Sequence, residues 1–339
     1  MMVAVLKKAK LLFCVLLVLA GMRLSVAATT NSVEMLVPEW DSGDMFSQTS
    51  GVEFSSTTLY VWHAKCYIEG IYGGIAQITR FALGSGTPGR GKTERPKLDV
   101  LGYVPDLNSF IGRTKENQIT VLSEQMLVKW TSKALPALPM WIAFDREFGL
   151  VVTLGSGDVV SVRGNAVDYL VRAPGASWLH HTAFAFSPEA RLVALGWNDG
   201  PLRVADLRTS SVVESADVRG FSELFFVDHG ESLMVGGWDG SIKILNSRTL
   251  ALQQTLRFHR GRVSGFASLS DDRFISASWD GSFVVWRRTH AGGWEVEAQA
   301  RHRGGVDSIT VSPDRLWCCA VGRHRIYLYR IGRFAAERK

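Results

Sequence analysis

The chain has 339 residues, enough for one large domain or two of middle size, and its 46% hydrophobic and 21% charged content suits a globular protein with a substantial core. The formal charge of +6 does not indicate nucleic acid: Lys7, Lys8, Lys10 and Arg23 stand without an acid in the first 27 residues, and without them +2 remains. No concentrated basic stripe is left to follow a phosphate backbone, so nucleic acid is not an expected partner.

Residues 1–27 read as a leader. MMVAVLKKAK is basic, LLFCVLLVLAGM is apolar, and LSVAA offers small residues for cleavage after Ala27. The apolar run is short for a bilayer, so no stable membrane span is expected. Two readings stay open. A cleaved signal places the protein in the secretory pathway, whereas a true start at Met22 or Met35 places it in the cytoplasm or nucleus. Beyond the leader, Cys66, Cys318 and Cys319 have no disulfide-framework spacing, and no N-x-[ST] sequon occurs. Residues 28–47 form an N-terminal segment containing the apolar strand candidate SVEMLV (32–37).

In GSGTPGRGKT (84–93), Gly86, Gly91, Lys92 and Thr93 satisfy the spacing of a phosphate-binding loop. Such a loop needs a helix starting at its Gly-Lys-Thr, so that backbone N–H groups face the phosphates. Here ERPKLDVLGYVPDLN follows, with Pro96, Gly102 and Pro105 and no 3.6-residue apolar period. The expectation is a glycine-rich connecting loop, and no cofactor is expected.

The organisation emerges when the chain is aligned with itself. LVALGWNDGPLRVADL, LMVGGWDGSIKIL and FISASWDGSFVVW each carry an apolar strand, a Trp, an Asp-Gly turn and a second alternating strand. Their turn residues Asp199, Asp239 and Asp280 are 40 and 41 apart, and the same spacing leads back to Asp158, Glu116 and Gly74 and forward to Arg323. Seven copies at a spacing of 40 to 43 predict an all-β fold, a seven-bladed β-propeller of four-stranded antiparallel blades. One blade cannot bury both sheet faces alone; blades packed radially can. HRGRVSGFASLSDD and HRGGVDSITVSPD give the opening strands of the last two units, each with His four residues before Val.

With His259, Ser276, Asp280 and Trp286, the SPD-type turns, and WD dipeptides at 238–239 and 279–280, residues 48–331 resemble the WD-repeat family, most clearly in the last four repeats. The resemblance implies a buried structural hydrogen-bond chain through those four residues rather than a hydrolase triad. It also implies that an N-terminal strand completes the last blade, a role assigned to 32–37, with 332–339 as a tail. The adjacent His180-His181 has no Cys partner at ligand spacing, and no metal site is expected.

Binding is expected where turns between second and third strands meet the loops entering each blade. Trp238 and Trp279 immediately precede the turn Asp, and Trp197 lies close to that place in a turn one residue longer. In WD-repeat proteins the position before that Asp is often a partner contact. Arg260 and Arg303 follow the loop histidines, and Arg262 and Asp199 belong to the same face. Together they predict a mixed aromatic and cationic surface for an acidic or aromatic peptide. The expected function is a non-catalytic scaffold for one or more proteins or peptides within a larger complex, with a small-molecule ligand not expected. The alternatives are a secreted or ER-lumen propeller enzyme of hydrolase or lyase type and, third, a nucleotide-binding protein using residues 86–93.

Overall fold

The computed structural model describes residues 34–36, 38, 40–41, 51–54, 58–63, 77–82, 92–94, 98–172, 183–196, 200–322 and 325–331. The leader, the tail, Gly86, Gly91, His180, His181, Trp197, Asp199 and Arg323 lie outside them. The described residues are strands and turns with two single-turn 3-10 helices, and among them no helix is long and apolar enough to cross a membrane.

Six blades are each made of four successive antiparallel strands. The first takes Gly51–Phe54, Thr58–His63, Gln77–Ala82 and Lys92–Glu94. The second takes Asp99–Val104, Ser109–Arg113, Ile119–Ser123 and Val128–Thr131. The third takes Pro139–Asp145, Gly149–Leu154, Val159–Arg163 and Ala166–Val171. The fourth takes Ala183–Ser187, Leu192–Gly196, Leu202–Asp206 and Ser211–Ser215. The fifth takes Phe221–Val227, Ser232–Gly237, Ser241–Asn246 and Leu252–Arg257. The sixth takes Val263–Ser270, Arg273–Ser278, Ser282–Arg288 and Trp294–Arg301.

The repeat count of seven is corrected at this point, because the last three strands do not make a blade by themselves. Val306–Val311, Trp317–Gly322 and Ile326–Arg330 reach four only by taking in Trp40–Asp41, giving a composite sheet. The strand beside Ile326–Arg330 is thus Trp40–Asp41, antiparallel with Trp40 opposite Leu328, and not 32–37. Within 32–37, Glu34–Met35 runs parallel to the outer strand of the sixth blade, and the Leu36 N–H donates to the Gln299 carbonyl at 2.7 Å. The physical reason is an unfilled edge: an outer strand leaves a row of unpaired N–H and C=O groups, and the N-terminal segment covers two such edges in succession.

Apolar clusters lie between neighbouring blades, which is why the middle strands read as unbroken apolar runs instead of alternating ones. Every residue of Ser232–Gly237 is buried, whereas outer strands such as Leu252–Arg257 are largely exposed. Leu233 and Val235 pack with Leu192 and Ala194 of the preceding blade, and Met234 packs with Val263 and Phe274 of the following one.

The first strands meet around the axis, Val263–Ser270 against both Phe221–Val227 and Val306–Val311. Each of these three opens with a shift in register. At two of the bulges a buried serine ties one blade to the next: the Ser222 hydroxyl donates to the Val263 carbonyl at 2.6 Å, and that of Ser264 donates to the Val306 carbonyl. Ser222→Ala is expected to cost about 1–2 kcal/mol, because the buried carbonyl keeps its desolvation and loses this donor. Urea midpoints of this variant and of the exposed Ser211→Ala test it; equal shifts would remove the tie from the account.

Candidate partner-binding site

The phosphate-loop spacing leads into a strand. Lys92–Glu94 is the fourth strand of the first blade, with Thr93 opposite Thr79, so the backbone of Lys92 and Thr93 is used in a sheet ladder and not in the first turn of a helix.

In the sixth blade the structure brings His259, Ser276, Asp280 and Trp286 into one chain of hydrogen bonds. His259 Nε2 lies 2.6 Å from Ser276 Oγ, and the Trp286 indole N–H donates to the same oxygen at 2.8 Å. His259 Nδ1 lies 2.5 Å from Ser282 Oγ, which donates to Asp280 Oδ1. With a neutral ring, only one direction of protons satisfies all of these contacts. Ser282 gives its proton to the carboxylate, so it must accept from Nδ1–H. Nε2 is then the unprotonated nitrogen and accepts from Ser276. The ring is neutral, and burial pushes its pKa down to about 4. Asp280 also accepts the Arg260 backbone N–H at 2.6 Å and the Ser282 N–H at 2.7 Å, which hold its carboxyl below the usual carboxylate range against the opposing effect of burial. The turn Gly281 has φ +85°, and a Cβ there would sit 2.6 Å from the Gly304 carbonyl, so the loop entering the composite sheet closes directly over the turn.

Neighbouring repeats keep parts of this arrangement. In the fifth blade Asp239 Oδ1 accepts from Ser241 Oγ and N, at 2.6 and 3.0 Å, but Val218, Val235 and Leu245 occupy the places of His259, Ser276 and Trp286. All three belong to one apolar cluster. In the composite sheet Tyr329 stands where Trp286 would be, and its hydroxyl lies 3.1 Å from Nε2 of buried His302.

Above this framework sit the rim residues. Trp238 and Trp279, on adjacent blades, keep 41% and 47% of their surface open to solvent, too much for rings committed to packing between blades. Their ring centroids are 5.7 Å apart at 86°, an edge-to-face pair. The backbone N–H of Trp238 donates to the Gly220 carbonyl and that of Trp279 to the Arg262 carbonyl, both at 2.9 Å, so the main chain carrying each indole is fixed to the loop entering its own blade. The Arg262 guanidinium carbon lies 4.4 Å from the Trp238 centroid and 4.5 Å from that of Trp279, a cation shared equally by two π faces.

Sequence reasoning missed Glu223, on the first strand of the fifth blade. Burial pushes its carboxyl up to about 8 even though Arg262 draws it down. Arg262 in turn is lowered by burial and supported by Glu223 and Asp307. Arg260 and Arg303 are exposed in the loops entering the sixth blade and the composite sheet, while Trp197, assigned to the same rim, lies outside the described residues. The arrangement offers a flat aromatic surface with one stacked cation. Among the described residues, no group of three or more His, Cys, Asp or Glu is placed to hold a metal ion.

Comparisons with known proteins agree with this architecture. Residues 250–287, which run from the outer strand of the fifth blade through Trp286, match the family described as WD domain, G-beta repeat. Over 217 residues, 62% of this chain, the sequence is 24% identical to apoptotic protease-activating factor 1 of Mus musculus, and the match takes in 17% of that protein. A 90-residue stretch, 26% of this chain, is 32% identical to telomerase protein component 1 of Rattus norvegicus, within 3% of its length. The chain therefore spans only a small part of these relatives. Among solved structures, a chain in the crystal structure of a mitotic checkpoint complex superposes with a TM-score of 0.67 at 15% identity, covering 87% of this chain and 94% of that one. The β-propeller domain of Cps50 (Swd1) from Myceliophteria thermophila gives 0.61 at 14% identity, covering 84% and 97%. At such identities the superpositions show the fold.

Proposed function

The chain belongs to the WD-repeat β-propeller family, and on that premise we propose that it is a non-catalytic protein-interaction scaffold whose partners dock on the rim carrying Trp238, Trp279 and Arg262. One observation carries the reading: two half-exposed indoles, held edge to face on adjacent blades, cover a cation that stacks on both. Large rigid rings bury much area at little entropic cost, which is why Trp and Arg dominate binding energy at protein interfaces. The buried His259 chain supports a structural role, since its proton donors and acceptors are all used internally. A larger complex is the setting the scaffold reading implies. The relative from Rattus norvegicus and the checkpoint complex are named for assemblies of that kind, and this extends to the present chain only as part of the proposal.

The test is affinity purification of the tagged protein from its native cells at mild salt, beside a Trp238→Ala/Trp279→Ala variant, with partners and the N-terminal peptide identified by mass spectrometry. The variant is expected to stay folded within about 1 kcal/mol, because exposed positions contribute little to stability, and to lose its partners. Retention of every partner by the folded variant would move the docking face elsewhere. The same run distinguishes a start near Ala28, and with it the secretory pathway, from one at Met22 or Met35.

A further inference from the structure

Resting on that reading of the rim, we infer that what seats between Trp238 and Trp279 is an acidic side chain of the partner, its oxyanion held by the in-plane donors of Arg262. The guanidinium carbon lies in the corner formed by the two perpendicular indoles, and the terminal N–H groups of a guanidinium are the part that matches a carboxylate or phosphoryl group with two parallel N–H···O bonds. The edge of Arg262 is not consumed within the protein. Its Nε–H is buried without a partner, and among the described residues its terminal N–H groups, which are not buried with it, donate to nothing, so they are the donors left for an incoming acceptor.

The surrounding charge points to the same class of partner. The turn carboxylates Asp239 and Asp280 are directed inward to Ser241 and Ser282 and to the Arg260 backbone. Asp307 has interactions of its own, and the carboxyl of Glu223, partly buried on the first strand of the fifth blade, is pushed up to about 8. The cations point the other way: Arg257, Arg260, Arg301 and Arg303 are all exposed. An approaching peptide therefore meets open cations over satisfied carboxylates, which favours an acidic sequence and repels a basic one. An aromatic side chain is the poorer guest, because Arg262 already stacks on both indoles and a third ring would leave its edge donors unanswered.

The probe is a library of random hexapeptides containing Asp, Glu and phosphoserine alongside the ordinary residues, passed over the immobilised full chain. Enrichment of Asp, Glu or phosphoserine at one position is the expected result, and which of them dominates separates a carboxylate source from a phosphorylated one. Binding of the selected peptides to Arg262→Gln should fall by about tenfold or more, the size of a lost charge-assisted bidentate contact. Arg262→Lys, which keeps the charge without the fork, should fall between and serves as the check if Arg262→Gln does not fold. Enrichment of Lys or Arg, of aromatic residues, or of nothing would overturn the inference. So would equal losses from Arg260→Gln/Arg303→Gln and from Arg262→Gln, which would replace a seat by a diffuse basic rim. If native partners are lost with Trp238→Ala/Trp279→Ala while the library shows no acidic preference, the docking face stands and the acidic guest alone is rejected.

Discussion

His259→Val is expected to destabilise the protein by about 3 kcal/mol, because it leaves buried Ser276 without its acceptor and buried Ser282 without its donor and opens space beside Trp286. The fifth blade shows how the same sequence family manages without the polar chain. There Val218, Val235 and Leu245 fill the corresponding places and pack together. Removing both ends of a buried hydrogen bond costs less than removing one, so His259→Val/Ser276→Val should cost less than the sum of the two single changes. A coupling of about 1–2 kcal/mol is expected, in the range measured for neighbours that share a hydrogen bond. Urea unfolding of the four proteins in this cycle measures it. Additive losses would mean that the chain is a set of separate contacts, each replaceable without regard to the others.

That polar chain was partly legible in the sequence and partly not, for identifiable reasons. Asp280 recurs with the 41-residue period, whereas His259, Ser276 and Trp286 stand out only through the resemblance to the WD-repeat family, since the fifth blade has Val218, Val235 and Leu245 in their places. Ser282 escaped notice although the signal was present: Asp-Gly-Ser recurs at 239–241 and 280–282, and in both turns the serine answers the aspartate. The strand at Trp40–Asp41 carries too little length for any periodicity, and its pairing is decided by an open edge made of residues almost 290 positions away. The register of 32–37 failed for the same reason, since an apolar run says that a segment pairs but not with which edge. The sequence reads Arg262 as a rim residue, yet its contact with two indoles from different blades is formed only in the assembled ring, and the raised pKa of Glu223 is a tertiary effect with no local trace. Period and turn chemistry are local and repeat; edges and electrostatics belong to the assembled ring.

The last expectation concerns acid. His259 is held neutral in the folded protein with a pKa near 4, against 6.5 for the exposed ring. A group whose folded pKa is depressed contributes fully above its unfolded value, so this stabilisation is intact above pH 6.5 and is lost as the pH falls toward 4. Over 2.5 pH units the loss amounts to about 3 kcal/mol. Glu223 acts in the opposite direction: its folded pKa of about 8 lies above the ordinary 4.5, so its contribution is present at low pH and is lost as the pH rises from 4.5 to 8. Between pH 4.5 and 6.5 the two effects oppose each other, and the stability of the wild type alone shows neither cleanly. The difference between the wild type and His259→Val isolates the histidine. It should be largest at pH 7 and shrink by about 3 kcal/mol on going to pH 4, because the variant has no ring to protonate. The matching comparison with Glu223→Gln should change with the opposite sign, the variant gaining on the wild type as the pH rises through 8. A wild-type advantage over His259→Val that stays constant from pH 7 to 4 would mean that the imidazole is already charged in the folded protein. The His259–Ser276 contact would then have to run the other way, with Nε2–H donating to Ser276 Oγ.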